Sequence, residues 1–290
     1  KSTTGLSTDT CANVKSTSAS GRLGGPTTQT FESDEIPHVR VQARCGDVKT
    51  AVTADEEGFF TIEVAMPEGL PSGEHTVALS LPDEVRGQRG ITATGTIVVP
   101  PENATFGIIS DVDDTILKTD ATNLLNAARL TFTGNARTRQ PFDGVASFYR
   151  ALQSGPDGAG NNPIFYVSSG PWNLYDLLVE FMAQNEIPVG PIFLQNYGLD
   201  IDTFIHKDHL THKAEAIARL LDAYPGLPFI LIGDSGQKDP EVYRTIVDRY
   251  PGRIAAIYIR DVSVDTRDQE VIAIADDLRL RNVPMILAAD

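Results

Sequence analysis

Residues 106–115 read Phe106-Gly107-Ile108-Ile109-Ser110-Asp111-Val112-Asp113-Asp114-Thr115, a short apolar run that ends in three carboxylates within four positions. Apolar side chains on consecutive residues suit a strand covered on both faces, because neighbouring side chains point to opposite sides of a sheet. The same texture returns in Ile164–Val167, Pro191–Leu194, Phe229–Ile232, Ile254–Ile259 and Pro284–Leu287. Between these runs the spacing turns helical. Phe142, Val145, Phe148, Tyr149 and Leu152 share one face, as do Trp172, Leu174, Leu177, Leu178 and Phe181, and then Ile217, Leu220 and Leu221. Buried strands alternating with amphipathic helices predict an α/β fold, a doubly wound parallel sheet, over residues 105–290.

Upstream, Pro100-Pro101-Glu102-Asn103 breaks the pattern and predicts a domain boundary. Residues 31–104 carry period two: Val39, Val41, Ala43 and Cys45 alternate with His38, Arg40, Gln42 and Arg44. Phe60, Ile62 and Val64 repeat it, then Val77, Leu79 and Leu81, which predicts an antiparallel β-sandwich domain. Residues 1–30 are rich in Ser, Thr and Gly without an apolar period and read as a tail or loosely held edge. Cys11 and Cys45 have no spacing that suggests zinc or redox chemistry. Cys45 reads as a small core hydrophobe, with a single disulfide left open. The chain starts at Lys1 rather than Met and stops just after an apolar run, so a trimmed start and a further C-terminal segment are expected.

Composition narrows the function classes. The 290 residues are 41% hydrophobic, ample for two cores, and 24 Lys+Arg against 39 Asp+Glu give a net charge of −15. That balance disfavours nucleic acid, whose phosphates need clustered cations, and general adhesion to an anionic membrane. No apolar run approaches the ~20 residues of a transmembrane helix.

In doubly wound folds ligands bind beyond the carboxyl ends of the strands. There the sequence places Asp111, Asp113, Asp114 and Thr115 after the first run, and Ser168-Ser169-Gly170-Pro171 after the second, with Pro171 expected near the first turn of a helix. The fourth run ends in Gly233-Asp234-Ser235-Gly236-Gln237-Lys238-Asp239, and His212-Lys213 opens a helix before it. Like charges about 4 Å apart repel by roughly 4 kcal/mol at an effective dielectric near 20, so these acids call for a cation. His206, His209 and His212 with Asp208 also suggest a zinc site on paper. Spacings of three and six do not keep all three histidines on one helical face, and the zinc alternative is set aside.

A strand-end acid pair, a strand-end Ser, a Lys and a Gly-Asp-x4-Asp loop, in that order, resemble the haloacid dehalogenase superfamily of aspartate-nucleophile phosphohydrolases. More narrowly, Asp111-Val112-Asp113-Asp114-Thr115, Tyr166-Val167-Ser168, Pro171-Trp172, His212-Lys213, the string Phe229–Tyr243 and Arg260-Asp261 resemble the catalytic domain of the actin-patch phosphatidate phosphatases and their bacterial relatives. The resemblance implies a Rossmann-like fold with a minimal cap. It implies Asp111 as nucleophile, Asp113 as general acid and base, and Lys213 and Ser168 on the phosphoryl oxygens. Mg²⁺ is implied on Asp111, Asp234 and the Asp113 carbonyl, oriented by Asp239. A carboxylate is already ionised at neutral pH and needs no activating base, and a divalent cation lets it approach an anionic phosphoryl group. Thr115 and Ser169 join the expected substrate contacts, and Asp114 is left between a structural and a catalytic role.

Only about 25 residues between the first two motifs are left for a lid, which favours a bulky or membrane-embedded phosphomonoester. Lys118, Arg129, Arg137 and Arg139 against Asp120 give this stretch a local +3. Lys118, Arg137 and Arg139 are candidate headgroup contacts, with a plain solvated face as the alternative. The expected function is a Mg²⁺-dependent phosphatidate phosphatase, cytoplasmic and transiently peripheral to a membrane, that meets a phospholipid substrate at the surface. The alternatives are the same chemistry on a phosphoprotein or polyprenyl phosphate, or a headgroup-binding module without turnover.

Overall fold

The computed structural model describes residues 9–13, 36–56, 58–65, 71–117, 141–171, 174–195, 209–262 and 266–288. The chain divides into two compact units that part between Pro101 and Glu102.

In the first unit β1 (Asp9–Asn13) pairs antiparallel with β4 (Thr61–Ala65). A separate antiparallel sheet has the order β3 (Val48–Thr53), β2 (Arg40–Cys45), β5 (Gly73–Ser80), β6 (Thr92–Val99). The period-two pattern sets the burial. Val41, Ala43 and Cys45 of β2 face a core with Ile62, Val77, Leu79 and Ile97, while Arg40 and Arg44 face out. Cys45 is a buried free thiol in that core. It pairs with Val48 across a two-residue turn whose first residue, Gly46, has φ +57°, a conformation that suits glycine in tight hairpins.

The second unit is built on six parallel strands: β7 (Gly107–Ser110), β8 (Ile164–Pro171), β9 (Ile192–Gln195), β10 (Phe229–Asp234), β11 (Ile254–Arg260) and β12 (Met285–Ala288). Their order is β12-β11-β10-β7-β8-β9, so the chain steps outward from β7 in one direction and then returns to β7's other side. The strand order reverses between β7 and β10, where open α/β sheets form a crevice.

Continuous apolarity in the strands produces two cores. Ile108, Ile164, Tyr166, Ile230 and Ile232 face α1 (Val145–Ser154) and α2 (Tyr175–Gln184), whose Tyr149, Leu178 and Phe181 are buried against them. Ile109, Phe165, Val167, Phe229 and Leu231 face α3 (His209–Ala223), α4 (Asp239–Arg249) and α5 (Thr266–Leu280), through Ile217, Leu221, Ile246 and Leu278. Each fully buried Ile, Leu or Phe contributes about 1.5–3 kcal/mol over exposure, so covering both faces is what makes the apolar runs stable. The α/β architecture with a parallel sheet is therefore as the sequence predicts. One local detail differs. Pro171 lies at the end of β8, paired with Gln195, and α2 starts only at Tyr175, so Pro171 is not in a helical first turn. Proline suits a strand end because the missing N–H is not needed there. The 118–140 stretch, including the expected lid, lies outside the described residues. Among the described residues no helix is long and apolar enough to cross a membrane.

Candidate active site

Asp111 leaves β7 at the strand-order reversal, and both its peptide groups are fixed. Its N–H donates to the Ile232 carbonyl of β10 at 2.8 Å, a carbonyl that also accepts from the Tyr243 hydroxyl at 2.7 Å. Its own carbonyl accepts from Ser110 Oγ at 2.6 Å, and Ser110 Oγ is hydrogen-bonded to the Tyr149 hydroxyl. Tyr149 of α1 and Tyr243 of α4 thus brace the same residue from opposite faces of the sheet. Burial raises both phenols well above their usual range, so they stay protonated.

The Asp111 carboxylate is held at both oxygens, by Lys213 Nζ on Oδ1 at 2.8 Å and by Thr115 Oγ1 on Oδ2 at 3.0 Å. Lys213 lies on α3 and is buried, although the sequence alone makes a helical Lys an ordinary surface residue. Its Nζ also donates to Asp239 Oδ1. Asp239, the first residue of α4, accepts at its other oxygen from the Asp234 N–H at 3.1 Å. Asp234 Oδ1 accepts from the Gln237 N–H at 2.8 Å, while the buried Oδ2 has no hydrogen-bond partner among the described residues. Gly233 makes this packing possible: a Cβ there would stand 2.7 Å from Asp239 Cβ and 2.8 Å from its Cγ.

On the β8 side Ser168 Oγ donates to Asp113 Oδ2 at 2.9 Å and accepts from the Gly170 N–H at 2.8 Å. The Asp113 carbonyl accepts from Gln237 Nε2 at 3.2 Å, which ties the first acidic loop to the second. Asp114 is buried at φ +54°, a left-handed turn that brings the chain back on itself, and its charge is felt at Asp234. Ser169 is half-buried beside Ser168.

Asp111, Asp234 and Asp239 each offer a carboxylate oxygen within 4.8 Å of the others, and all three residues are buried. One ammonium cannot balance three such carboxylates. Burial pushes the Asp111 carboxyl well above the usual range; Lys213 pulls it down, while Asp239, Asp234 and Asp113 add to the rise. Burial and the neighbouring Asp239 push Asp234 up to about 7, against the Gln237 N–H and Lys213. Burial alone would lower Lys213, but Asp111 and Asp239 more than offset it and keep the ammonium charged. Convergent hard oxygens, an unpartnered buried Asp234 Oδ2 and excess negative charge fit a small divalent cation such as Mg²⁺.

Asp111, Asp113, Thr115, Ser168, Lys213, Asp234 and Asp239 therefore come together from four segments. Lys118, Arg137 and Arg139 lie outside the described residues, as do His206 and Asp208 of the histidine cluster. Gln237, Tyr149 and Tyr243 carry no role in the sequence-based expectation. Gln237 had a faint signal, lying inside the loop between two acids. The tyrosines had none, because they act on backbone carbonyls distant in sequence.

Fold and centre define an α/β protein with a buried carboxylate–lysine cluster at the switch point of a parallel sheet. The family described as phosphatidate phosphatase APP1, catalytic domain, matches residues 106–261, more than half of the chain, and the chain belongs to that family. It is 35% identical over 187 residues to phosphatidate phosphatase APP1 of Saccharomyces cerevisiae, covering 62% of this chain and 31% of that protein. It is 24% identical over 240 residues to an uncharacterised protein of Schizosaccharomyces pombe, covering 80% of this chain and 39% of that protein. The chain spans about a third of the length of these curated relatives. Among solved structures, a carbohydrate acetylesterase from Xanthomonas citri is 11% identical, with 87% of this chain and 62% of that chain covered, at a TM-score of 0.30. At that level nothing is carried over from it.

Proposed function

We propose that the chain is a Mg²⁺-dependent phosphatidate phosphatase that releases diacylglycerol and phosphate through an aspartyl-phosphate. The observation that carries this reading is Lys213 Nζ on Asp111 Oδ1 at 2.8 Å, in the same buried cluster as Asp234 Oδ2, which has no hydrogen-bond partner among the described residues. Family membership supports the choice of phosphatidate. We read residues 105–290 as a haloacid dehalogenase-like phosphatase domain with a minimal cap, and residues 31–104 as a β-sandwich domain. The sandwich and the Ser/Thr-rich residues 1–30 receive no catalytic role.

Asp111 attacks phosphorus through a carboxylate oxygen and the ester P–O bond breaks. Asp113 donates its proton to the leaving alkoxide, then takes one from the water that attacks the same phosphorus and frees Asp111. Ser168 Oγ, now on Asp113 Oδ2, is placed to turn its proton to a phosphoryl oxygen, and Ser169 and Thr115, next to Ser168 and on Asp111 Oδ2 respectively, are proposed substrate contacts. Lys213 supplies a fixed positive charge beside the attacked centre. Asp111, Asp234 and the Asp113 carbonyl would hold Mg²⁺, which when bound neutralises charge on the phosphoryl oxygens. Asp239, which bridges the Lys213 ammonium and the Asp234 N–H, would orient that set. The basic residues Lys118, Arg137 and Arg139 are proposed headgroup contacts during transient membrane encounters, with the protein otherwise cytoplasmic.

The test is phosphate release from phosphatidate vesicles, a phosphopeptide and a polyprenyl phosphate, with and without Mg²⁺, by wild type and Asp111→Asn. The expected result is Mg²⁺-dependent release from phosphatidate, reduced at least 1,000-fold in Asp111→Asn. Release that persists in the variant would overturn the nucleophile. Release from the other esters alone would keep the chemistry and remove the lipid, and no release from any ester would favour a binding module.

A further inference from the structure

The loop Ser235–Lys238 joins β10 to α4 and touches the acidic centre at two points: the Gln237 N–H on Asp234 Oδ1 and Gln237 Nε2 on the Asp113 carbonyl. Gly236 and Lys238 of this loop are exposed, so hydrogen bonds rather than packing must fix it there. Besides the Ser235 N–H on the Arg260 carbonyl at 2.9 Å, its main fixed points lie on the far side, at Arg267 in the first turn of α5.

All five N–H groups of the Arg267 guanidinium are used. Nε donates to the Ser235 carbonyl at 3.2 Å, and Nη2 to the Gln237 carbonyl at 3.0 Å and Glu241 Oε2 at 2.6 Å. Nη1 donates to Glu241 Oε1 at 2.7 Å and Glu270 Oε2 at 2.6 Å. The side chain is only 15% exposed, so water competes weakly for these bonds. Glu241, in the first turn of α4, receives the fork with both oxygens and anchors the guanidinium against the helix that carries Asp239. Ser235 Oγ adds a second tie, donating to Asp261 Oδ1 at 3.0 Å and accepting from the Val262 N–H at 2.9 Å.

We propose that Arg267 is a positioning residue for the centre. By gripping the carbonyls of Ser235 and Gln237 it fixes the peptide whose N–H aims Asp234 and the side chain that holds the Asp113 carbonyl. Its effect on cation binding rests on the reading that these two groups ligate Mg²⁺. Lys cannot replace it, because one ammonium with three donors cannot reach two carbonyls and a bidentate carboxylate together.

The test uses the full chain, with Arg267→Gln, Arg267→Lys and Glu241→Gln, at a temperature where circular dichroism shows each variant folded. Mg²⁺ binding is read by titration calorimetry, and amide exchange of residues 234–238 is read in chelator. Both Arg267 variants should bind Mg²⁺ about tenfold more weakly, in line with losses of supporting contacts around metal ligands. Gly236 and Gln237 should exchange faster while β10 keeps its protection. If the Arg267 variants fail to fold, Glu241→Gln, which keeps the shape and loses the charge, should show the same two changes at roughly a third of the size. Wild-type affinity together with wild-type loop exchange in folded variants would overturn the proposal. A wild type that binds no Mg²⁺ would overturn the cation reading instead, and loop exchange would then decide the role of Arg267.

Discussion

Asp234→Asn is expected to stabilise the cation-free protein while abolishing its Mg²⁺ binding. Asp234 is fully buried among Asp239, Asp111 and Asp114, and its carboxyl is pushed from an ordinary 3.8 to about 7. A folded-state pKa above the unfolded value means the group costs nothing below about pH 3.8, with the penalty growing as pH rises and complete above about 7. At ~1.4 kcal/mol per pH unit, that interval amounts to about 4 kcal/mol at pH 8 and to under 2 kcal/mol at pH 5. Asparagine keeps the oxygen that accepts from the Gln237 N–H and turns its amide donors toward neighbouring carboxylates. The variant should therefore be about 2–4 kcal/mol more stable at pH 8, with the gap shrinking by roughly 2 kcal/mol toward pH 5. The assay is urea unfolding in chelator at several pH values, followed by far-UV circular dichroism. Added Mg²⁺ should stabilise wild type and leave the variant unmoved. A variant less stable than wild type at pH 8, or a gap independent of pH, would refute the electrostatic account of this centre.

Lys213→Met leaves Asp111 and Asp239 buried without their cation, so unfolding in chelator at pH 8 should show a loss of about 3–5 kcal/mol, smaller at pH 5 where carboxyls can protonate. Gly233→Ala drives a methyl into Asp239; a loss of about 1–3 kcal/mol by denaturant titration and at least a tenfold drop in phosphate release are expected. In the proposed site Mg²⁺ takes an ionised Asp234, so its affinity by calorimetry should rise as pH climbs through about 7, with proton release to buffer on binding below that point.

The two-sided apolar runs make the parallel sheet legible in the sequence itself, because Ile108 and Ile109 must each find a separate core, and only helices on both faces provide that. The acids were legible for a related reason: charges immediately after a buried strand have nowhere to go but its open end. The supports were not. Tyr149, Tyr243 and Arg267 act on carbonyls of Ile232, Ser235 and Gln237, or through Ser110, and a backbone carbonyl has no letter in the sequence. Gln237 reaches the Asp113 carbonyl across 124 positions, a distance no local pattern spans. Pro171 shows the opposite failure: a local cue for a helix start gives way to pairing with Gln195, which only the neighbouring strand could supply.

The placement of β10 between β7 and β11 also governs when the centre can exist. Asp111 leads the chain, yet its ammonium partner arrives 102 residues later and the partner's second carboxylate 26 residues after that. A nascent chain adds ~5–20 residues per second, so several seconds pass in which the early acids have been made and Lys213 has not. Closing the β7–β10 pair across that separation is entropically slow and belongs late in folding. Recovery of phosphate release during refolding would then time the insertion of one central strand, and an unfinished chain would carry Asp111, the proposed nucleophile, without its lysine or its neighbouring acids.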